Sequence, residues 1–184
     1  MSKILVARTA DLGVIKVVGR GSFQNSGCIK AFYQQLLKDG VTRFVVDLGA
    51  CTYLDSTFLG ILLGLGLKLK EAGSGVLRIL NASTRNLELL KNLGLDRLIS
   101  IEGTDAEGVP AMAGPPVPAG TAALNGLKEG DMQEVKAPAM TKAEAGPTIL
   151  EAHENLIGFD PRNVPKFKDV VEFLREDLGQ TGKS

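Results

Sequence analysis

Between Lys3 and Glu102, five short runs rich in branched apolar residues alternate with stretches of helical period, and this alternation confines the chain to an α/β fold. The runs are Ile4–Ala7, Val14–Val18, Arg43–Leu48, Val76–Leu80 and Leu98–Ile101. Turn-forming residues in Thr9-Ala10-Asp11-Leu12-Gly13 join the first two as a hairpin. A helix is expected from about Asn25 to Lys38, where Cys28, Ile29, Phe32, Leu36 and Leu37 recur at helical spacing before Asp39-Gly40 stops it. Arg43–Leu48 reads as a central strand, because adjacent branched residues suit a strand covered on both faces. The helix from Phe58 to Glu71 is apolar almost all round as far as Leu67 and belongs in the core. Its Gly60 and Gly64 are expected to let it approach the sheet closely. A third helix, Thr84 to Leu93, carries Leu87, Leu90 and Leu93 as a stripe. The order β-β-α-β-α-β-α-β predicts a mixed, mainly parallel sheet of four to five strands with interleaved helices.

The pattern ends at Glu102. Residues 103–146 are rich in Ala, Gly and Pro, centre on Gly114-Pro115-Pro116-Val117-Pro118 and hold no sustained apolar period, so they read as a flexible linker between a first unit, 1–102, and a tail, 147–184. In the tail, Pro147 to Ile157 is expected as a short helix opened by Pro, and Asp160–Asn163 as a turn. Val164 to Leu178 is expected as an amphipathic helix with Phe167, Val170, Val171, Leu174 and Leu178 on one face. The tail is too short for its own core. Its Phe167/Val171/Leu174 face is expected to dock on the first unit, on another copy by self-association, or on a partner.

Lys plus Arg and Asp plus Glu number 21 each, so the formal net charge is zero, which argues against broad binding to nucleic acid and suits protein partners better. Cys28 and Cys51 read as buried thiols of a reducing compartment. With a single His, His153, a Cys/His metal site has few ligands to draw on. The N-terminus shows no signal-peptide pattern. The longest apolar run, Phe58 to Leu67, is well short of the roughly 20 residues of a spanning helix. A cytoplasmic protein without membrane insertion is expected.

Asp55-Ser56-Thr57 lies where the central strand gives way to the buried helix. A helix start leaves backbone N–H groups without internal partners and carries partial positive charge. A hydroxyl there can cap the helix, act as a nucleophile or accept a phosphate. Ser56 is not in a Gly-x-Ser-x-Gly elbow, and His153 would have to fold back across the linker to serve as its base. Gly19-Arg20-Gly21 is a lone Gly-x-Gly and fits a strand-ending turn better than a phosphate cradle, so no cofactor is indicated.

The stretch Asp47 to Leu63, a hydrophobic strand ending in Asp-Leu and then Asp55-Ser56-Thr57 opening a buried helix, resembles the signature of the STAS domain, a family that includes bacterial anti-sigma factor antagonists. The element order and Asn86 to Leu95 are similar too, and the resemblance runs over roughly Lys3 to Glu102. It implies a binding protein rather than an enzyme. Ser56 would be phosphorylated by a GHKL-type serine kinase that is itself the anti-sigma factor, and a PP2C-type phosphatase would reverse the modification. Asp55, Thr57 and Phe58 would line the contact surface, joined by Ser22 and Phe23 of the turn after the second strand. Phe58 stands where the family usually has Gly, and Gly19-Arg20-Gly21-Ser22-Phe23 replaces an acidic turn. Two other readings remain open: a STAS scaffold in a signalling or lipid-transport assembly, with Ser56 only a cap, and a small-ligand or nucleotide binder.

Overall fold

The computed structural model describes residues 2–103, 129–136 and 141–181. Strands β1 (Lys3–Arg8) and β2 (Leu12–Gly21) form an antiparallel hairpin, with Ile4 opposite Val17 and Val6 opposite Ile15. Parallel strands follow in turn: helix α1 (Phe23–Lys38) leads to β3 (Arg43–Leu54), α2 (Ser56–Glu71) to β4 (Val76–Ala82), and α3 (Thr84–Asn92) to β5 (Ser100–Gly103). A strand of two residues, β6 (Gln133–Glu134), pairs antiparallel with Leu5 and Val6. The sheet order is β5-β4-β3-β2-β1-β6.

The mixed α/β architecture agrees with the sequence pattern, but the sheet has six strands rather than four or five. The added strand lies within the 103–146 stretch, and two residues are too few to show any alternation. Of that stretch, 104–128 and 137–140 lie outside the described residues. The last parallel strand starts two residues later than the apolar run. Leu95–Arg97 winds as a 3-10 turn, and Ile99 donates its N–H to the Leu95 carbonyl, which holds Leu98 and Ile99 back from the sheet.

The central strand β3 is longer than its apolar run because bulges in its pairing with β2, near Lys16 and Gly19, let the ladder continue to Gly21 opposite Leu54. Phe44, Val46 and Leu48 point into the main core with α1 and α2, whereas Val45 packs with Val14 and Leu80 on the opposite face. Cys28 and Cys51 are both buried free thiols, and burial pushes both above the usual thiol pKa.

Two further helices complete the described structure, α4 (Lys142–Phe159) and α5 (Val164–Thr181). Helix α4 opens at Lys142 and not at Pro147. Glu144 accepts the Thr141 N–H through Oε2 at 2.8 Å, and Thr141 Oγ1 accepts the Glu144 N–H, a reciprocal cap that starts the helix before the proline. Helix α4 packs on α2 and also meets α1. No helix among the described residues is long and apolar enough to cross a membrane.

Candidate functional site at the start of α2

Asp55 ends β3 with extended backbone and becomes the N-cap of α2. Its Oδ1 accepts the Phe58 N–H at 2.9 Å, while its Oδ2 accepts the N–H of Phe23, the first residue of α1, at 2.8 Å. One carboxylate therefore ties together the positive ends of two helices, where a negative charge is most favourable. Its own N–H donates to the Gly21 carbonyl at 3.0 Å, which locks the β3 end to the β2 end.

Because Asp55 does the capping, the hydroxyl of Ser56 takes no part in the cap. Ser56 is the first residue of α2, half-buried, and its Oγ lies 2.9 Å from His153 Nε2. His153 Nδ1 is 2.7 Å from the Ile149 carbonyl, one turn earlier on α4. A carbonyl can only accept, so Nδ1 carries the proton and Nε2 is the acceptor for the Ser56 hydroxyl. The imidazole is buried, with the Phe167 ring of α5 at 5.0 Å between centroids. Burial lowers its pKa below the ordinary 6.5, against smaller opposing effects of the Ile149 carbonyl and the Asp55 charge.

The only histidine of the chain thus does fold back onto Ser56, which the sequence could not show. The pair still differs from a hydrolytic triad. Nδ1 is engaged by a backbone carbonyl and not by a carboxylate, and the nearby Asp55 carboxylate is turned to two helix caps.

The glycines of α2 explain how α4 comes so near. A Cβ on Gly60 would overlap the Ala152 backbone carbonyl, and one on Gly64 would stand 2.7 Å from Asn155 Nδ2. Both glycines thus face α4, and the sheet is not what they approach. Asn155 Nδ2 also donates to the Gly60 carbonyl at 3.2 Å, and Lys30 of α1 pairs with Glu151.

The remaining expected contact residues fall in two groups. Thr57 and Phe58 are buried, Phe58 to 1% exposure, so in this arrangement neither presents its side chain to a partner. The Phe58 ring sits over Gly21, where a Cβ would come within 3.1 Å of it. The aromatic ring thus fills space left by an absent side chain, and its burial stabilises by about 1.5–3 kcal/mol. Ser22 and Phe23 are half-buried and, with Asp55, line a polar cleft of about 420 Å³ that also includes Arg20, Asn25 and Tyr53. The Arg20 guanidinium lies 4.7 Å from the Tyr53 ring centroid. Among the described residues no cluster of His, Cys, Asp and Glu is arranged to hold a metal ion.

A family model described as "Mlab, STAS domain" matches residues 4–100. The chain belongs to the STAS domain family. No curated protein matches it. Among solved structures, it is similar to the anti-sigma factor antagonist SpoIIAA in its unphosphorylated form, with 21% identity and a TM-score of 0.49 over 55% of this chain and 89% of that one. A Thermotoga maritima protein named as a candidate anti-sigma factor antagonist is similar at 18% identity and a TM-score of 0.49, over 54% and 86% of the two chains. The Bacillus cell fate determinant SpoIIAA in its phosphorylated form matches at 22% identity and a TM-score of 0.46, over 55% and 92%. In this STAS chain the match ends near β5, so the α4–α5 tail lies beyond the matched residues.

Proposed function

We propose that this STAS protein is a partner-switching regulator of the anti-sigma factor antagonist type, controlled by phosphorylation of Ser56. The observation that carries the reading is the division of labour at the α2 start: Asp55 caps the helix, so the Ser56 Oγ is not used by the cap and lies at a position of positive potential. In the reaction, the Ser56 Oγ–P bond forms as the bond from the γ-phosphorus of ATP to its bridging oxygen breaks. ADP leaves, and the hydroxyl proton passes to a base of the kinase. A GHKL-type kinase acting as anti-sigma factor is the partner in this reading, a PP2C-type phosphatase resets the switch, and the setting is cytoplasmic.

The phosphate adds about −1.5 to −2 charge. The helix end tolerates that charge by roughly 0.3–2 kcal/mol whether or not a partner is bound. Discrimination comes from the interface, where burying an unpaired anion beside Asp55 opposes binding. An opposing effect of about 4 kcal/mol weakens binding roughly a thousandfold. Incubation with the kinase and ATP, followed by mass-spectrometric mapping, is expected to place phosphate on Ser56 and none on a Ser56→Ala variant. Phosphate found only elsewhere, or partner binding equal for Ser56→Ala and Ser56→Asp, would overturn the reading.

One observation favours a second reading, in which the domain is a fixed scaffold. The Ser56 hydroxyl is already committed to His153 under α4. In that case Ser56→Ala weakens tail docking and leaves partner binding unchanged.

A further inference from the structure

The surface around Ser56 is occupied by the chain itself. Three contacts hold α4 there: the Ser56 hydroxyl on His153 Nε2 at 2.9 Å, the Gly60 backbone against the Ala152 carbonyl, and Asn155 Nδ2 on the Gly60 carbonyl at 3.2 Å. Ala152 is wholly buried and His153 nearly so. A kinase must bring a nucleoside triphosphate to Oγ, whose hydroxyl is engaged by the His153 imidazole of α4.

We propose that α4 is a displaceable cover over Ser56, so that phosphorylation requires α4 to leave α2 and a phosphate on Ser56 then prevents its return. This rests on the reading of Ser56 as a phosphoacceptor. Exclusion follows from geometry. The hydroxyl proton that bonds Nε2 is the one replaced by phosphorus, and phosphate oxygens do not fit within a 2.9 Å gap. The close backbone contact at Gly60, one turn on from Ser56, is lost if α4 shifts away to make room. With Nδ1 turned to the Ile149 carbonyl, neutral His153 offers only a lone pair to the new anion, and Asp55 adds a like charge beside it.

A second observation marks the seat as imperfect. The Tyr33 hydroxyl of α1 is buried near Gly64 and has no hydrogen-bond partner among the described residues. Burial and the nearby Glu151 carboxylate push its pKa upward. A sealed, unpaired hydroxyl opposes the closed state by a modest amount, and lifting α4 returns it to water.

The test uses the full chain. Phosphoserine is installed at position 56 by genetic code expansion, and hydrogen exchange is followed in residues 142–159. Exchange at least about tenfold faster than in the unmodified chain, with β2 and β3 still protected, is the expected result. Unchanged or slower exchange overturns the proposal, the latter by showing an imidazolium that holds the phosphate. The access half uses Gly60→Ala, which favours α2 as a helix yet removes the seat for Ala152. Ala152→Glu provides the same opening from the tail side. With a GHKL-type kinase and ATP, both variants are expected to be labelled at Ser56 about tenfold faster than wild type. Equal labelling of all three overturns the cover and leaves the acceptor reading standing. No label on Ser56 in any of them, with α4 shown open by exchange, overturns the acceptor reading and the proposal with it.

Discussion

Helices α4 and α5 are both 18 residues long and adjacent in the chain, yet they are held in opposite ways. Helix α4 presses its backbone against glycines of α2 and buries Ala152 and Leu156 completely. Helix α5 lies outside it, turning Phe167 and Val171 inward while Val170 and Phe173 stay 40% and 66% exposed. Its contacts with α4 include an exposed ion pair from Arg175 to Glu154. The clearer amphipathic pattern belongs to α5, the outer helix. Amphipathicity reports contrast between the two faces of a helix and says little about how deeply either is seated.

The largest expected effect falls on the inner helix. Leu156→Ala deletes a wholly buried side chain and is expected to cost about 2–5 kcal/mol, read as a lower denaturant midpoint. A cost near zero would place α4 on a par with α5 and erase the contrast.

The elbow between the two helices comes next. Asp160 is buried and accepts from the Arg162 guanidinium, while Asn163 Nδ2 donates to the carbonyls of Leu93 and Leu156 at 3.0 Å each. Gly94 has φ +82°, and a Cβ there would stand 2.5 Å from Asp160 Oδ2. Gly94→Ala is expected to destabilise by about 2 kcal/mol and to raise exchange in both tail helices together. Faster exchange in α5 alone would show that the elbow does not anchor α4.

Acid sharpens the contrast without mutation. His153 has its pKa lowered in the folded chain by burial, with Asp55 the charged group facing it from α2 and an uncharged ring, Phe167, facing it from α5. A depressed histidine pKa means the unfolded chain takes up the proton first. The stability it contributes is complete above about pH 6.5 and is lost as pH falls through the lower folded value. Hydrogen exchange corrected for intrinsic rate is expected to quicken in α4 between pH 7.5 and 5, and His153→Gln is expected to flatten that response. At lower pH the elbow follows. Asp160 is held down to about 2, first by its hydrogen bonds from Arg162, so its contribution drains between about pH 4 and 2.

The smallest effect is expected on the outer face of α5. Phe173→Ser should change stability by no more than about 0.5 kcal/mol. A larger loss would mean that Phe173 is covered in solution, by a second copy or another protein, and sedimentation of wild type against variant would show it.

The alternating half of the chain was legible because periods of 2 and 3.6 follow directly from which face is buried. The junction at Asp55-Ser56 could be placed for the same reason. Three features escaped. The two residues of β6 are too few to carry a pattern. The start of α4 is set by Thr141 and Glu144 reaching across a turn, and Pro147 looked like the stronger marker. The meeting of Ser56 with His153 joins residues 97 positions apart, and no local rule reports such a distance. Gly60 and Gly64 did signal a close approach, but a missing side chain cannot say what approaches.

Phe58 and Leu54 together occupy the room left by the missing side chain of Gly21. Neither position 21 nor position 58 can therefore drift. A side chain at 21 collides first with Leu54 Cδ2, at 2.7 Å, and then with the ring at 3.1 Å, and a glycine at 58 leaves a void in the core. Gly21→Ala and Phe58→Gly are each expected to destabilise, and the double variant is not expected to recover, because Leu54 still blocks a side chain at 21. The phenylalanine beside the hydroxyl is thereby held from below the surface by its packing against another strand, independent of whatever Ser56 meets above it.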